Sequence, residues 1–274
     1  MGIAAGFAAI FGSMLGLGGG VLLVPLLTLF FGVDPKVAVG ASAVCVVTNS
    51  VVGSSVHMRS GFTNIRLAML LQTTTALGAI SGAAIAISAN PNVINFVLGI
   101  VLIYSAFSML SQRRIPVPNA PPDAPDPLAL RGSYRDQASR RIVEYVPERI
   151  RLGLAISGGS GVLSGMLGIG GGVIQVPLMN LLMRIPVKAA AGTSSFMVGM
   201  TAVATAAVFY SQDKLDPRVV VPCMIGIFLG AQIGSQITRR LPTHRLIIIF
   251  VLVLAYLGIS LVLKAIGIGL PGQD

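Results

Sequence analysis

Residues 12–25 read GSMLGLGGGVLLVP, and residues 164–177 read SGMLGIGGGVIQVP. Adding 152 to a position in the first half lands on its counterpart in the second. Gly18, Gly19 and Gly20 answer to Gly170, Gly171 and Gly172, Pro25 to Pro177, Lys36 to Lys188, Gly40 to Gly192 and Ser42 to Ser194. Arg66 answers to Arg218, Gly78 to Gly230, Gly82 to Gly234 and Tyr104 to Tyr256. The register runs without a gap from Met14 to Ser108. Shared apolar composition alone does not keep Gly, Pro, Lys, Arg and Tyr in one register, so the chain is read as an internal duplication.

The repeated stretches sit in segments fit for a bilayer. Of the 274 residues, 54% are apolar and 10% charged, with a mean hydropathy of +0.86. A soluble surface needs more charge than this. Several apolar runs reach the ~20 residues that cross a hydrocarbon core of ~30 Å. The runs do not alternate, which excludes a membrane barrel. The fold expected is an all-α polytopic membrane protein. The net charge of +10 does not indicate nucleic acid. Eight of the nineteen Lys and Arg lie between Gln112 and Arg151, and the rest cluster at the ends of apolar runs. That distribution marks a cytoplasmic loop and juxtamembrane anchors. Cys45 and Cys223 do not occupy equivalent repeat positions, so a designed pair is not expected and both read as buried structural thiols. There is no basic leader, CxxC, HExxH or P-loop, so no cofactor and no metal are expected.

Each half repeats one series of segments. A long glycine-interrupted stretch (2–33; 154–184) precedes three runs, 36–57, 65–89 and 91–110 in the first half and 187–210, 217–238 and 243–263 in the second. Asp34-Pro35, Asn90-Pro91 and Asp216-Pro217 each place a capping side chain before a first-turn proline. The chain thus divides into a first membrane repeat (1–111), a cytoplasmic linker (112–151) and a second membrane repeat (152–274). The Pro-rich front of the linker reads as extended chain, and its Arg-rich back as a segment lying on headgroups.

Length and charge bear on topology. A single helix over 2–33 would be ~48 Å long at 1.5 Å per residue, too long for one crossing. The run GLGGG at 16–20 also makes a poor helix interior, at ~1 kcal/mol per Gly relative to Ala. A break there yields two short helices that enter and leave by one face. The halves are then inverted, and fifteen of the nineteen basic residues share the side of the 112–151 loop. Only Lys36, Lys214, Arg218 and Lys264 face out. A single crossing would divide them thirteen to six, so the positive-inside rule favours the inverted arrangement.

Inverted repeats with broken helices are a transporter device, and irregular backbone at membrane depth is tolerated where it lines a polar cavity. Free amides at Gly18, Gly19 and Gly20, and at Gly170, Gly171 and Gly172, would then supply two facing halves of one anion site. Close helix packing is the alternative use of such glycines. Ser42, Asn49, Gln175, Thr193, Ser194 and Ser195 are candidate neutral ligands, with helix–helix hydrogen bonding the alternative for each. Lys36, Lys188, Arg66 and Arg218 read as interface anchors, and His57 and His244 as interfacial. No Asp or Glu falls mid-run, which disfavours carboxylate coupling and metal transport. No His or Asp lies at membrane depth to activate a serine, so an intramembrane enzyme is not expected.

The motif GxxxGxGGGxxxVP, met here as GSMLGLGGGVLLVP and SGMLGIGGGVIQVP, resembles the TauE/SafE family of sulfite and organosulfonate exporters. The following VAVGAS (37–42) and AAAGTSS (189–195) resemble it too. Ser164 stands where the first copy has Gly12, and the central loop is longer than the family pattern. The resemblance implies a multi-pass bacterial inner-membrane carrier that exports sulfite, sulfoacetate or related sulfonates. Its partners would be a small sulfur anion and the bilayer, with a homo-oligomer allowed. An anion channel, a carrier of another oxyanion and a non-transporting scaffold are the competing readings.

Overall fold

A computed structural model describes residues 1–15, 18–59, 61–111, 126, 128–135, 142–237 and 243–267. The first half comprises α1 (Gly2–Leu15), α2 (Gly20–Phe30), α3 (Pro35–Arg59), α4 (Ile65–Ser88) and α5 (Pro91–Ser111). A two-stranded hairpin, β1 (Gly132–Arg135) and β2 (Ile142–Tyr145), precedes the second half. There α6 (Ile150–Leu167) and α7 (Gly172–Pro177) lead into a π-helical turn over Leu178–Leu182. They are followed by α8 (Val187–Ser211), α9 (Pro217–Ile237) and α10 (Thr243–Ile266). Six of the described helices are long and apolar enough to cross a membrane. The chain is an all-α polytopic membrane protein with one small extramembrane hairpin.

The expected helix starts are formed by the expected chemistry. Asp34 accepts from the Lys36 amide at 2.8 Å, Asn90 from the Asn92 amide at 3.0 Å and Asp216 from the Arg218 amide at 2.9 Å. Each carboxylate or amide thereby satisfies an amide that the first turn leaves free, and the intervening proline has none to lose. The long stretches are broken at their glycines, as length and helix propensity require. After α1 the chain doubles back. A Cβ at Gly19 would lie 3.6 Å from the Ala9 Cα and 3.7 Å from the Ala8 carbonyl oxygen. In the second half the two ends of the stretch meet, where the Glu148 amide donates to the Met183 carbonyl at 3.1 Å.

Glycine faces set the helix packing. A Cβ at Gly78 would collide with the Gly158 carbonyl of α6, and one at Gly230 with the Gly6 carbonyl of α1. Gly82 meets Val162 and Gly234 meets Ile10 in the same way. These contacts exchange under the 152-residue shift, so α4 packs on α6 as α9 packs on α1. Each half thus covers the broken helix of the other, which is close backbone approach of the kind small residues allow in lipid. The mates α3 and α8 run antiparallel. The loop after α3 lies on the start of α8, with the Thr63 hydroxyl donating to Gly192 O at 3.3 Å. The start of α3 lies on the end of α8, where a Cβ at Gly40 would be 3.1 Å from Lys214 O and 3.3 Å from the Phe209 ring.

Two sets of contacts extend what the sequence indicates. The back of the linker, expected to lie on headgroups, supplies the β1 and β2 strands and inserts side chains into the protein. Leu130, Tyr134 and Tyr145 are buried in one cluster with Leu67, Met179, Met183 and Ile185. Phe62 meets Tyr134 edge to face at 5.3 Å. Asn64 donates to Leu130 O at 2.8 Å and Arg66 to Ala129 O at 3.1 Å. Burial pushes the Tyr145 phenol up to about 12, so it remains a neutral apolar plug at physiological pH. The cysteines are buried and free, as expected, and Cys45 of α3 neighbours Cys223 of α9.

Candidate functional site

The two glycine breaks meet. A Cβ at Gly18 would lie 2.7 Å from a methyl of Val198 and 3.3 Å from one of Val46. A Cβ at Gly170 would lie 2.6 Å and 2.8 Å from the same two methyls. Val46 and Val198 are themselves repeat mates. Both breaks therefore converge on one pair of side chains at the crossing of α3 and α8. Gly18 and Gly19 have φ of 82° and 73°, and Gly170 and Gly171 have 76° and 79°, values a side chain disfavours. Gly19 and Gly171 stand at the cap positions of α2 and α7, and neither cap is supplied by a side chain. First-turn amides are thus left without a capping oxygen at both breaks.

Ser42 ties the breaks together. Its hydroxyl donates to Gly168 O of the second break at 2.9 Å and lies 3.5 Å from Gly20 O of the first. Ser194, its mate, is fully buried and its hydroxyl has no partner among the described residues. Asn49 is 2% exposed, with its side-chain oxygen unpartnered and its Nδ2 3.4 Å from where a Gly19 Cβ would stand. A narrow crevice of about 10 Å³, room for about one water-sized group, opens among Gly12, Ser13, Gly18, Asn49, Ser50, Gly53 and Ser195. Ser195 turns its hydroxyl back to Ala191 O at 2.8 Å and offers its carbonyl to Ser50 at 2.5 Å.

Two expected ligands have side-chain partners on other elements. The Thr193 hydroxyl accepts from the Asn64 amide at 3.0 Å, tying α8 to the α3–α4 loop. Gln175 donates to Thr75 of α4 at 3.2 Å, on the seam between α4 and α7. Ser13, Ser50 and Gly53 belong to the crevice without having been singled out, although Ser50 follows Asn49 directly. Among the anchors, Lys36 donates to Ile87 O at 2.6 Å, and Arg66 is held by the hairpin as above. The side chains of His57 and His244 lie outside the described residues. Among the described residues no three His, Cys, Asp or Glu gather as a metal site.

The site is built from neutral dipoles. A buried polar atom left unpaired costs roughly 1–3 kcal/mol, and several are concentrated around the breaks. Fixed dipoles that face a closed, low-dielectric point can take up a small charged solute without carrying charge of their own into lipid.

Apolar spanning helices, paired broken helices and a buried neutral polar centre together define a multi-pass membrane transporter. A family model described as "Sulfite exporter TauE/SafE" matches residues 1–261, and the chain belongs to that family. It is similar to the probable membrane transporter protein YunE of Bacillus subtilis (strain 168), with 27% identity over 93% of each chain. It is also similar to the probable membrane transporter protein MJ0441 of Methanocaldococcus jannaschii, with 24% identity over 93% of this chain and 91% of the other. A probable membrane transporter protein of Xylella fastidiosa (strain Temecula1) is 26% identical over 85% and 81%. No solved structure matches the chain.

Proposed function

We propose that the chain is a secondary carrier that exports small sulfur-containing anions, sulfite or a sulfonate, through one site shared by its two repeats. The convergence of Gly18 and Gly170 on the Val46–Val198 pair carries this reading. The two halves are read as inverted in the bacterial inner membrane, with the β1–β2 hairpin cytoplasmic. The antiparallel course of α3 and α8, the doubling back at each break and the positive-inside charge split all support that topology. The anion sits between the breaks, held by the amides of Gly18–Gly20 and Gly170–Gly172 with Ser42, Asn49, Ser194 and Ser195 around it. Gating consists of one repeat rocking against the other, which breaks the Ser42 bond to Gly168 O. Thr193 acts as a joint of the α3–α4 loop.

Purified chain in proteoliposomes tests the reading by counterflow. Labelled sulfite enters vesicles loaded with unlabelled sulfite or sulfoacetate and is excluded from vesicles loaded with chloride. Equal uptake into all vesicles would show a channel or leak, and no uptake would remove sulfite as the substrate.

A further inference from the structure

The two repeats match in shape but not in polarity. On the α4–α6–α7 side lie Gln72, Thr75, Ser157, Ser164 and Gln175, each at most 6% exposed. Their repeat mates are Met224, Ile227, Ala5, Gly12 and Leu23. Helix packing alone does not require polar side chains here, since the mate side packs on the same plan without them. Among the described residues three atoms of the polar set have no partner: the hydroxyls of Ser157 and Ser164 and the side-chain oxygen of Gln175.

The orientation of Gln175 is dictated by its neighbour. The Thr75 hydroxyl donates to Leu71 O at 2.8 Å, so it can only accept from Gln175, which must present its nitrogen at 3.2 Å. The amide oxygen is left facing no donor. Gln72, by contrast, is satisfied: with its oxygen toward Thr201 at 3.2 Å, its nitrogen reaches Met197 O at 3.2 Å. Ser164 stands in the last turn of α6, and its hydroxyl would be 3.4 Å from a Cβ at Gly171, the residue whose carbonyl receives the Gln175 amide. The orphaned atoms are all oxygens: Ser164 stands at the carbonyl end of α6, Ser157 in its middle and Gln175 in the first turn of α7. An amide oxygen repels an anion and takes either a hydrogen-bond donor or a cation. With no carboxylate among them, a divalent ion would be uncompensated, whereas a hard monovalent cation suits a cage of neutral oxygens.

We propose that the second glycine break carries a Na⁺ site, with Ser164 Oγ and Gln175 Oε1 as side-chain ligands and the carbonyl end of α6 beside them, and that this ion is coupled to the anion's passage. The coupling rests on the carrier reading above; the binding does not. The test uses full-length chain in detergent without any anion substrate, melted in NaCl, KCl and choline chloride at one ionic strength, with equilibrium binding of labelled Na⁺ alongside. Na⁺ alone should raise the melting temperature, with one ion bound per chain. Ser164→Ala should weaken Na⁺ binding at least tenfold, and Gln175→Leu should abolish it. If Gln175→Leu does not fold, the near-isosteric Ser164→Ala decides. Equal melting in the three salts, or Na⁺ binding unchanged in Ser164→Ala, overturns the site. A failure here leaves sulfite counterflow untouched, and absent counterflow leaves Na⁺ binding to be seen on its own.

Discussion

Gly170→Ala is expected to lower sulfite counterflow at least a hundredfold while the chain still assembles in the membrane. The methyl would enter a backbone with φ of 76° and press on Val46 and Val198 at 2.8 Å and 2.6 Å. The left-handed conformation costs an L residue roughly 1–2 kcal/mol, and the overlap adds to it. A typical stability of about 5–15 kcal/mol survives that loss. The break itself, however, must shift away from its partner, and amides aimed at a small anion lose their geometry with small displacements. Adding Val198→Ala removes the closer of the two overlaps but leaves that with Val46 and the φ strain, so exchange should return only in part. Gly18→Ala, at φ of 82° and against the same two valines, should behave alike. Wild-type exchange in either variant would mean that the breaks are packing devices only.

The second large effect is on assembly. Gly82→Val should leave little folded chain in the membrane. Its Cβ would fall on the backbone of Val162, where no side chain can swing aside. Overpacking in a core costs about 1–3 kcal/mol when neighbours can adjust, and here the neighbour is a helix backbone. The α4–α6 pair must part, and with it the cover over the second broken helix. Gly234→Val should do the same to α9 and α1 through Ile10. Gly159→Ala has open space around it and is the control; as a helix-interior Gly it should hold or gain stability by about 0.5–1 kcal/mol. Gel-filtration recovery and melting of the purified variants would separate the cases, and a well-folded Gly82→Val would refute the packing described.

Much of this fold was legible in the sequence because its causes are local or periodic. The prolines after Asp34, Asn90 and Asp216 begin helices by their own chemistry, and four glycines within five residues make a poor helix interior. The shift of 152 paired the breaks before any contact was known. What stayed hidden was set by three-dimensional packing. Thr193 and Ser194 differ by about 100° around a helix, enough to send one to the α3–α4 loop and leave the other buried without a partner. The hairpin escaped notice because Tyr134 and Tyr145 are two aromatic residues within a Pro- and Arg-rich segment, and their burial depends on Phe62 and Met183 from distant parts of the chain. The contact of Cys45 with Cys223 follows from α3 lying on α9, which no spacing in the chain reveals.

One measurement bears most directly on the shared site: equilibrium binding of labelled sulfite to purified wild type, Gly18→Ala and Gly170→Ala. A single composite site predicts one sulfite per wild-type chain and loss of binding in each variant alone. Two sulfites per chain, with one retained in each variant, would show that each break binds by itself and that the repeats do not build one site.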